Sequence, residues 1–180
     1  MSDSKSNTTN EVVVAGAMMT VTSDSKTRPT NTTAYASGDV INESASAGTN
    51  LTFSNAVRIA GGSGIIAEAM IDDSANQSTT LEAELWLFDT NPTADNDNAV
   101  FTPSDAEMQT VVGVVPIASV YAGDATAGAV GNLLITSGQV NIPFKVADGS
   151  RDLFGVLVAR NDYTPVSAEV FNIRLKIYQD

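Results

Sequence analysis

Carboxylates are the abundant titratable side chains of this sequence, which carries 21 Asp and Glu but no histidine and no cysteine. Those two absences exclude a Ser-His-Asp triad, a Cys-His dyad, a zinc finger and a His-ligated metal centre. They also exclude a histidine-based pH switch near neutrality, so any switching has to come from carboxylates or from assembly. Glu82 and Glu84 are two apart on a predicted strand and share a face at roughly 7 Å, a separation that overlaps that of inverting glycosidases. Nothing in the sequence buries either one to raise its pKa, so the pair reads as solvated surface. The run Asp89-Thr90-Asn91-Pro92-Thr93-Ala94-Asp95-Asn96-Asp97-Asn98 is rich in oxygen donors, with Asp89, Asp95 and Asp97 as candidate calcium ligands. Counted from Asp89, Ala94 stands where an EF-hand needs glycine and Val100 where it needs its bidentate glutamate, so a solvated Asx-rich turn is the favoured reading. Gly61-Gly62-Ser63-Gly64 is neither a P-loop nor Gly-x-Gly-x-x-Gly, and Ile65 replaces the last glycine of a nucleophile elbow. A tight hairpin between 51–59 and 65–72 accounts for these glycines. No catalytic residue, no resident metal and no cofactor are expected.

The elements that would position such residues are strands. Apolar and Thr-rich segments at 11–22, 34–41, 51–59, 65–72, 79–88, 110–120, 133–136, 139–146, 153–160 and 169–178 alternate with turn chemistry such as Asn91-Pro92, Ser137-Gly138 and Asp148-Gly149. This pattern predicts an all-β fold, an antiparallel sandwich spanning 11–180 as one domain behind a flexible polar tail at 1–10. The last strand is the cleanest: Phe171, Ile173, Leu175 and Ile177 point to a core, Asn172, Arg174, Lys176 and Tyr178 to water. One short helix is expected near 102–108, starting at Thr102 with Pro103 or, by the capping box of Ser104 and Glu107, two residues later. Pro116 marks an edge strand or a bulge.

Two segments, 12–19 and 153–159, are apolar on both faces, whereas each strand of a two-layer antiparallel sandwich has one wet face. Either loops of the same chain or another subunit must cover them. Alternation also places Trp86 and Phe88 on the otherwise wet face of 79–88. The candidate interface residues are therefore Val12, Val14, Trp86, Phe88 and Phe154, with Tyr121, Tyr163 and Tyr178 as further aromatics.

Net charge is −12, which repels phosphate backbones, so no nucleic-acid partner is expected. The sequence has no run of 18 or more apolar residues, and no membrane partner is expected either. Sequons at Asn7, Asn31, Asn50 and Asn76 follow a polar amino end without a signal-like apolar stretch, and read as turn chemistry.

Taken in order, Thr33-Ala34-Tyr35-Ala36-Ser37-Gly38-Asp39-Val40, the 61–65 turn, Leu85-Trp86-Leu87-Phe88-Asp89-Thr90-Asn91-Pro92-Thr93, 98–107, Ala159-Arg160-Asn161-Asp162-Tyr163-Thr164-Pro165 and Ile173-Arg174-Leu175-Lys176-Ile177-Tyr178-Gln179-Asp180 resemble a family of small virion structural proteins of tailed bacteriophages. The resemblance covers about residue 30 to the end; residues 1–29 depart from it. It implies a capsid decoration (cement) protein with a jelly-roll-like sandwich, made in the host cytoplasm and resident on the capsid exterior. Its implied partners are the major capsid protein and further copies of itself, with a trimer suiting three-fold positions of an icosahedral lattice. A tail or head-fibre component, including a carbohydrate-binding sandwich, is the rival reading.

Overall fold

The computed structural model describes residues 18–75, 77, 79–122, 132–135 and 140–180. Its strands are β1 (Met18–Thr27), β2 (Leu51–Phe53), β3 (Ser63–Asp73), β4 (Ala83–Phe88), β5 (Val111–Ile117), β6 (Ser119–Ala122), β7 (Asn132–Ile135), β8 (Ile142–Lys145), β9 (Leu153–Ala159) and β10 (Val170–Gln179), with one helix, α1 (Asp105–Met108). They form two antiparallel sheets, β2-β9-β4-β5 and β1-β10-β3-β7-β6, with β8 also paired to β3. The pairings nest: β1 with β10, β2 with β9, β3 with β8, β4 with β5. A chain that pairs its first half with its second in reverse order, and lays the ladder over two sheets, is a jelly-roll sandwich. β7 shares the edge of β3 with β8, pairing with Met70–Asp73 while β8 takes Ser63–Ile66.

The core lies between the sheets. Phe171, Ile173, Leu175 and Ile177 of β10 are wholly buried, as are Ile66, Ala69 and Ile71 of β3. They face Leu85 and Leu87 of β4, Leu153 and Leu157 of β9, and Phe53 of β2. On the outward face of β10, Arg174 pairs with Asp72 at 2.7 Å and Lys176 with Glu68, cross-strand ion pairs in a wet environment. Two glycines permit close approach to neighbouring strands of the same sheet: a Cβ on Gly155 of β9 would lie 2.9 Å from the Phe53 ring of β2, and one on Gly64 of β3 would lie 2.8 Å from the Tyr178 carbonyl oxygen of β10.

Several boundaries differ from expectation. Segment 34–41 is not a strand but makes three isolated bridges, Tyr35 to Tyr163, Asp39 to Val100 and Val40 to Val158. Gly38, at φ 105°, breaks its extended run, and the Asp39 carboxylate accepts from the Ala36 N–H at 2.7 Å to close a turn. The Gly61–Gly64 turn is no hairpin, since β2 and β3 belong to different sheets; the turn carries the chain between layers, with Gly61 at φ 69°. The helix starts at the later of its two expected points. Ser104 caps it, with Glu107 reaching back to the Ser104 N–H at 2.7 Å, while the Thr102 N–H is already donated to Asp95 at 3.2 Å. Pro116 does lie on an edge strand, β5.

Removing core volume at the centre of the sandwich should be felt across both sheets. Leu85→Ala is expected to lower stability by about 2–5 kcal/mol in urea unfolding, and a loss below about 1 kcal/mol would show that this layer is loosely packed.

Candidate functional site

One buried ion pair organises the loops at one end of the sandwich. Arg28, just past β1, donates from Nη2 to Asp97 Oδ2 at 2.8 Å, and both side chains are essentially without solvent contact. Tyr35 Oη donates to Asp97 Oδ1 at 2.6 Å and the Asn42 N–H donates to the same oxygen at 3.0 Å. The Arg28 guanidinium also stacks 4.4 Å from the Tyr35 ring centroid. Burial pushes the Tyr35 hydroxyl well above its ordinary value, and its hydrogen bond to Asp97 adds to the effect, so it stays a donor. Asp97 thus ties residues 89–104 to residues 28–42. The far end of the same loop is held by Glu107: hydrogen bonds from the Ser104 hydroxyl, the Thr93 N–H and the Ser104 N–H pull its carboxyl down to about 2.

The three candidate calcium ligands are instead engaged within the protein. Asp97 is consumed by a guanidinium, a phenol and an amide; Asp95 accepts from Thr102, and Asp89 from the Thr90 hydroxyl at 2.9 Å. Asp89, Asp95 and Asp97 are not brought together, and among the described residues no three acidic side chains are grouped as metal ligands. Glu84 is paired with Arg160 and accepts from Trp86 Nε1 at 3.1 Å, while Glu82 stays exposed on the surface.

The clamped loop explains what covers the second face of the β2-β9-β4-β5 sheet. Segment 98–101 pairs with 38–40, through Val40 N–H to Ala99 O at 2.8 Å and Phe101 N–H to Gly38 O at 3.0 Å. The backbone of 38–41 runs edge-on beside β9, with the Ile41 N–H donating to Leu157 O at 2.9 Å and the Ala159 N–H to Asp39 O at 2.8 Å. The side chains of Val40, Trp86, Phe101, Val111 and Phe154 complete a second apolar cluster with Val156, Val158 and Phe88. Cover therefore comes from the chain itself on β9. Phe88, expected at an interface, is wholly buried here and is core; β4 alternation put it on the right face, but the loop that covers that face is distant in sequence. Trp86 and Phe154 are half-buried, and the Trp86 ring meets Phe101 edge-on at 5.3 Å between centroids. Val12 and Val14 lie outside the described residues, as does the Tyr121 side chain. Tyr163 is buried.

The uncovered apolar surface is elsewhere, on the outer face of the larger sheet. Met19 of β1 stands opposite Tyr178 of β10, Tyr178 opposite Ile65 of β3, and Ile65 opposite Pro143 of β8. This single row crosses four strands, and Met19 at 55%, Ile65 at 40% and Tyr178 at 37% are exposed. Val21, one step along β1, is 52% exposed. The Lys176–Glu68 pair borders the row, giving an apolar centre with a charged rim. Of this row the sequence flagged Tyr178 and the Met18-Met19 apolar segment. Ile65 was unreadable as a partner because cross-strand register, not local pattern, aligns it with Tyr178. In comparisons with known proteins, no family model and no curated protein matches the chain.

Removing the clamp should cost far more than removing a surface pair. Asp97→Ala, which leaves Arg28 buried and uncompensated, is expected to lose about 3–5 kcal/mol. Lys145→Ala, which breaks the exposed pair with Asp148, should stay within about 0.5 kcal/mol. Equal losses in denaturant titrations would refute the organising role of Asp97.

Proposed function

We propose that the protein is a non-enzymatic decoration protein of a bacteriophage capsid, bound to the outside of the head as a trimer at three-fold or quasi-three-fold positions and stabilising the shell. The observation that carries this reading is the exposed row Met19, Tyr178, Ile65 and Pro143 on a rigid jelly-roll face, an apolar strip set in an otherwise acidic molecule. The acidic balance suits an outward-facing protein and disfavours contact with packaged DNA. Glu43, Asp97, Glu84, Asp72 and Glu68 are each paired with a lysine or arginine, which weighs against their serving as free catalytic carboxylates. Trp86 is likewise engaged by Phe101 and Glu84, which weighs against its being an open platform for a sugar ring.

Cryo-EM of the purified virion tests the assignment: density for this fold is expected at three-fold or quasi-three-fold capsid positions, and its absence there overturns the proposal, with density on the tail assigning a tail component instead. The contact face is tested by the double substitution Met19→Lys and Tyr178→Lys. Both sites are exposed, so melting temperature should hold while capsid occupancy drops by at least about tenfold, the effect of about 1.4 kcal/mol. A stable variant that decorates heads like the parent would place the contact on another face.

A further inference from the structure

At the end of β3, two carboxylates share the interior without a cation. Asp73, the last residue of β3, is 2% exposed, and Glu169, just before β10, is 1% exposed. Described lysines and arginines that form ion pairs do so with other carboxylates: Lys26 with Glu43, Arg28 with Asp97, Lys145 with Asp148, Arg160 with Glu84, Arg174 with Asp72 and Lys176 with Glu68. Arg28 approaches Glu169 only through its backbone N–H, which donates to the Glu169 carbonyl at 2.8 Å. Tyr35 meets this cluster only through its backbone bridge to Tyr163, since its hydroxyl is committed to Asp97.

The available protons can be counted. The Val166 N–H donates to Glu169 Oε2 at 2.8 Å, Gln77 Nε2 reaches the same oxygen at 3.4 Å, and the Ala75 N–H donates to Asp73 Oδ1 at 2.9 Å. Tyr163 Oη sits between the two acids, 2.5 Å from Glu169 Oε1 and 3.4 Å from Asp73 Oδ2, and accepts from Gln77 Nε2 at 2.8 Å. A phenol has one proton, and the short contact commits it to Glu169. Among the described residues, Asp73 Oδ2 therefore has no donor unless the aspartyl group brings its own. Two adjacent carboxylates in a desolvated site do not both ionise.

We propose that Asp73 and Glu169 hold one proton between them as a latch, closing the contacts of Ala75, Gln77, Tyr163 and Val166 around the pair while the proton is present and loosening them when base removes it. The latch joins three segments: the end of β3, Gln77 in the connection to β4, and Tyr163, Val166 and Glu169 in the β9–β10 connection. It fills the place that the missing histidines leave, and it does not depend on the capsid reading. Burial first, and then the hydrogen bond with Glu169, push the Asp73 carboxyl up to about 8. Burial and Glu169 also push the Tyr163 hydroxyl upward, so the phenol stays protonated throughout. The direction follows from linkage. Opening exposes an ordinary carboxyl that releases its proton, so the closed state binds more protons than the open one. Closure is therefore favoured at low pH and weakens as pH rises through the window ending at about 8.

The Ala75 and Val166 amides report the latch directly, because each donates to one of the two acids. In hydrogen exchange on the full chain between about pH 5.5 and 9, corrected for intrinsic base catalysis, their opening equilibrium is expected to rise about tenfold per pH unit and then level off. In Asp73→Asn, which keeps the shape but cannot ionise, that rise should vanish. Protection independent of pH in the parent, or the same rise in the variant, overturns the latch. If Asp73→Asn fails to fold, carbon-13 titration of the parent's carboxyls decides: one titrating well above the ordinary range is expected, and every carboxyl titrating below about pH 5 refutes the proposal.

Discussion

The buried pair between Arg28 and Asp97 is the constraint on which the asymmetry of this molecule depends. A guanidinium and a carboxylate removed from water are stable only when nearly every donor and acceptor is matched, and here Tyr35, Asn31 and the Asn42 amide complete the set. That requirement fixes the loop bearing Asp97 against the segment following β1. The loop then lies on the outer face of the β2-β9-β4-β5 sheet, where Phe88, Val156 and Val158 become a second core. A buried pair of this kind contributes less to net stability than to choosing one loop arrangement over others, because any other arrangement leaves a charge unmatched.

The consequence is that the two sheets have different outer surfaces. One is roofed by its own chain. The other keeps an open face whose ion pairs, Arg174 with Asp72 and Lys176 with Glu68, sit beside an apolar row. Among the described residues the sandwich therefore has two unlike outer faces. The buried acids at the end of β3 add a different kind of constraint, since their stability depends on a proton rather than on a counter-charge.

How much of this was readable varies with the range of the interaction. The alternation in β10 was legible because period-2 patterning needs only neighbouring residues, and the core side it indicated is the buried one. The capping box of α1 was legible for the same reason, although the choice between two starting points turned on Asp95 holding Thr102. The doubly apolar pattern of 153–159 announced that β9 needed cover without saying from where. The strand expected at 34–41 failed because the turn at 36–39, with Gly38 at φ 105°, interrupts it between its bridges to Tyr163 and Val158. Phe88 failed as an interface residue because its cover comes from residues near 40 and 100, brought there by the Arg28–Asp97 clamp.

By itself the sequence determined the β class, the side of each well-patterned strand that faces the core, and the exclusion of histidine and cysteine chemistry. Those properties follow from residue type and spacing of two to four positions. Only the tertiary structure decided the nested jelly-roll pairing, the register that aligns Met19, Tyr178, Ile65 and Pro143, the matching of Arg28 to Asp97, and the meeting of Asp73 with Glu169. Each of these joins residues far apart in the chain, and which distant groups meet is settled by the packing of the whole, where burying a charge or an apolar face is tolerable only beside its complement.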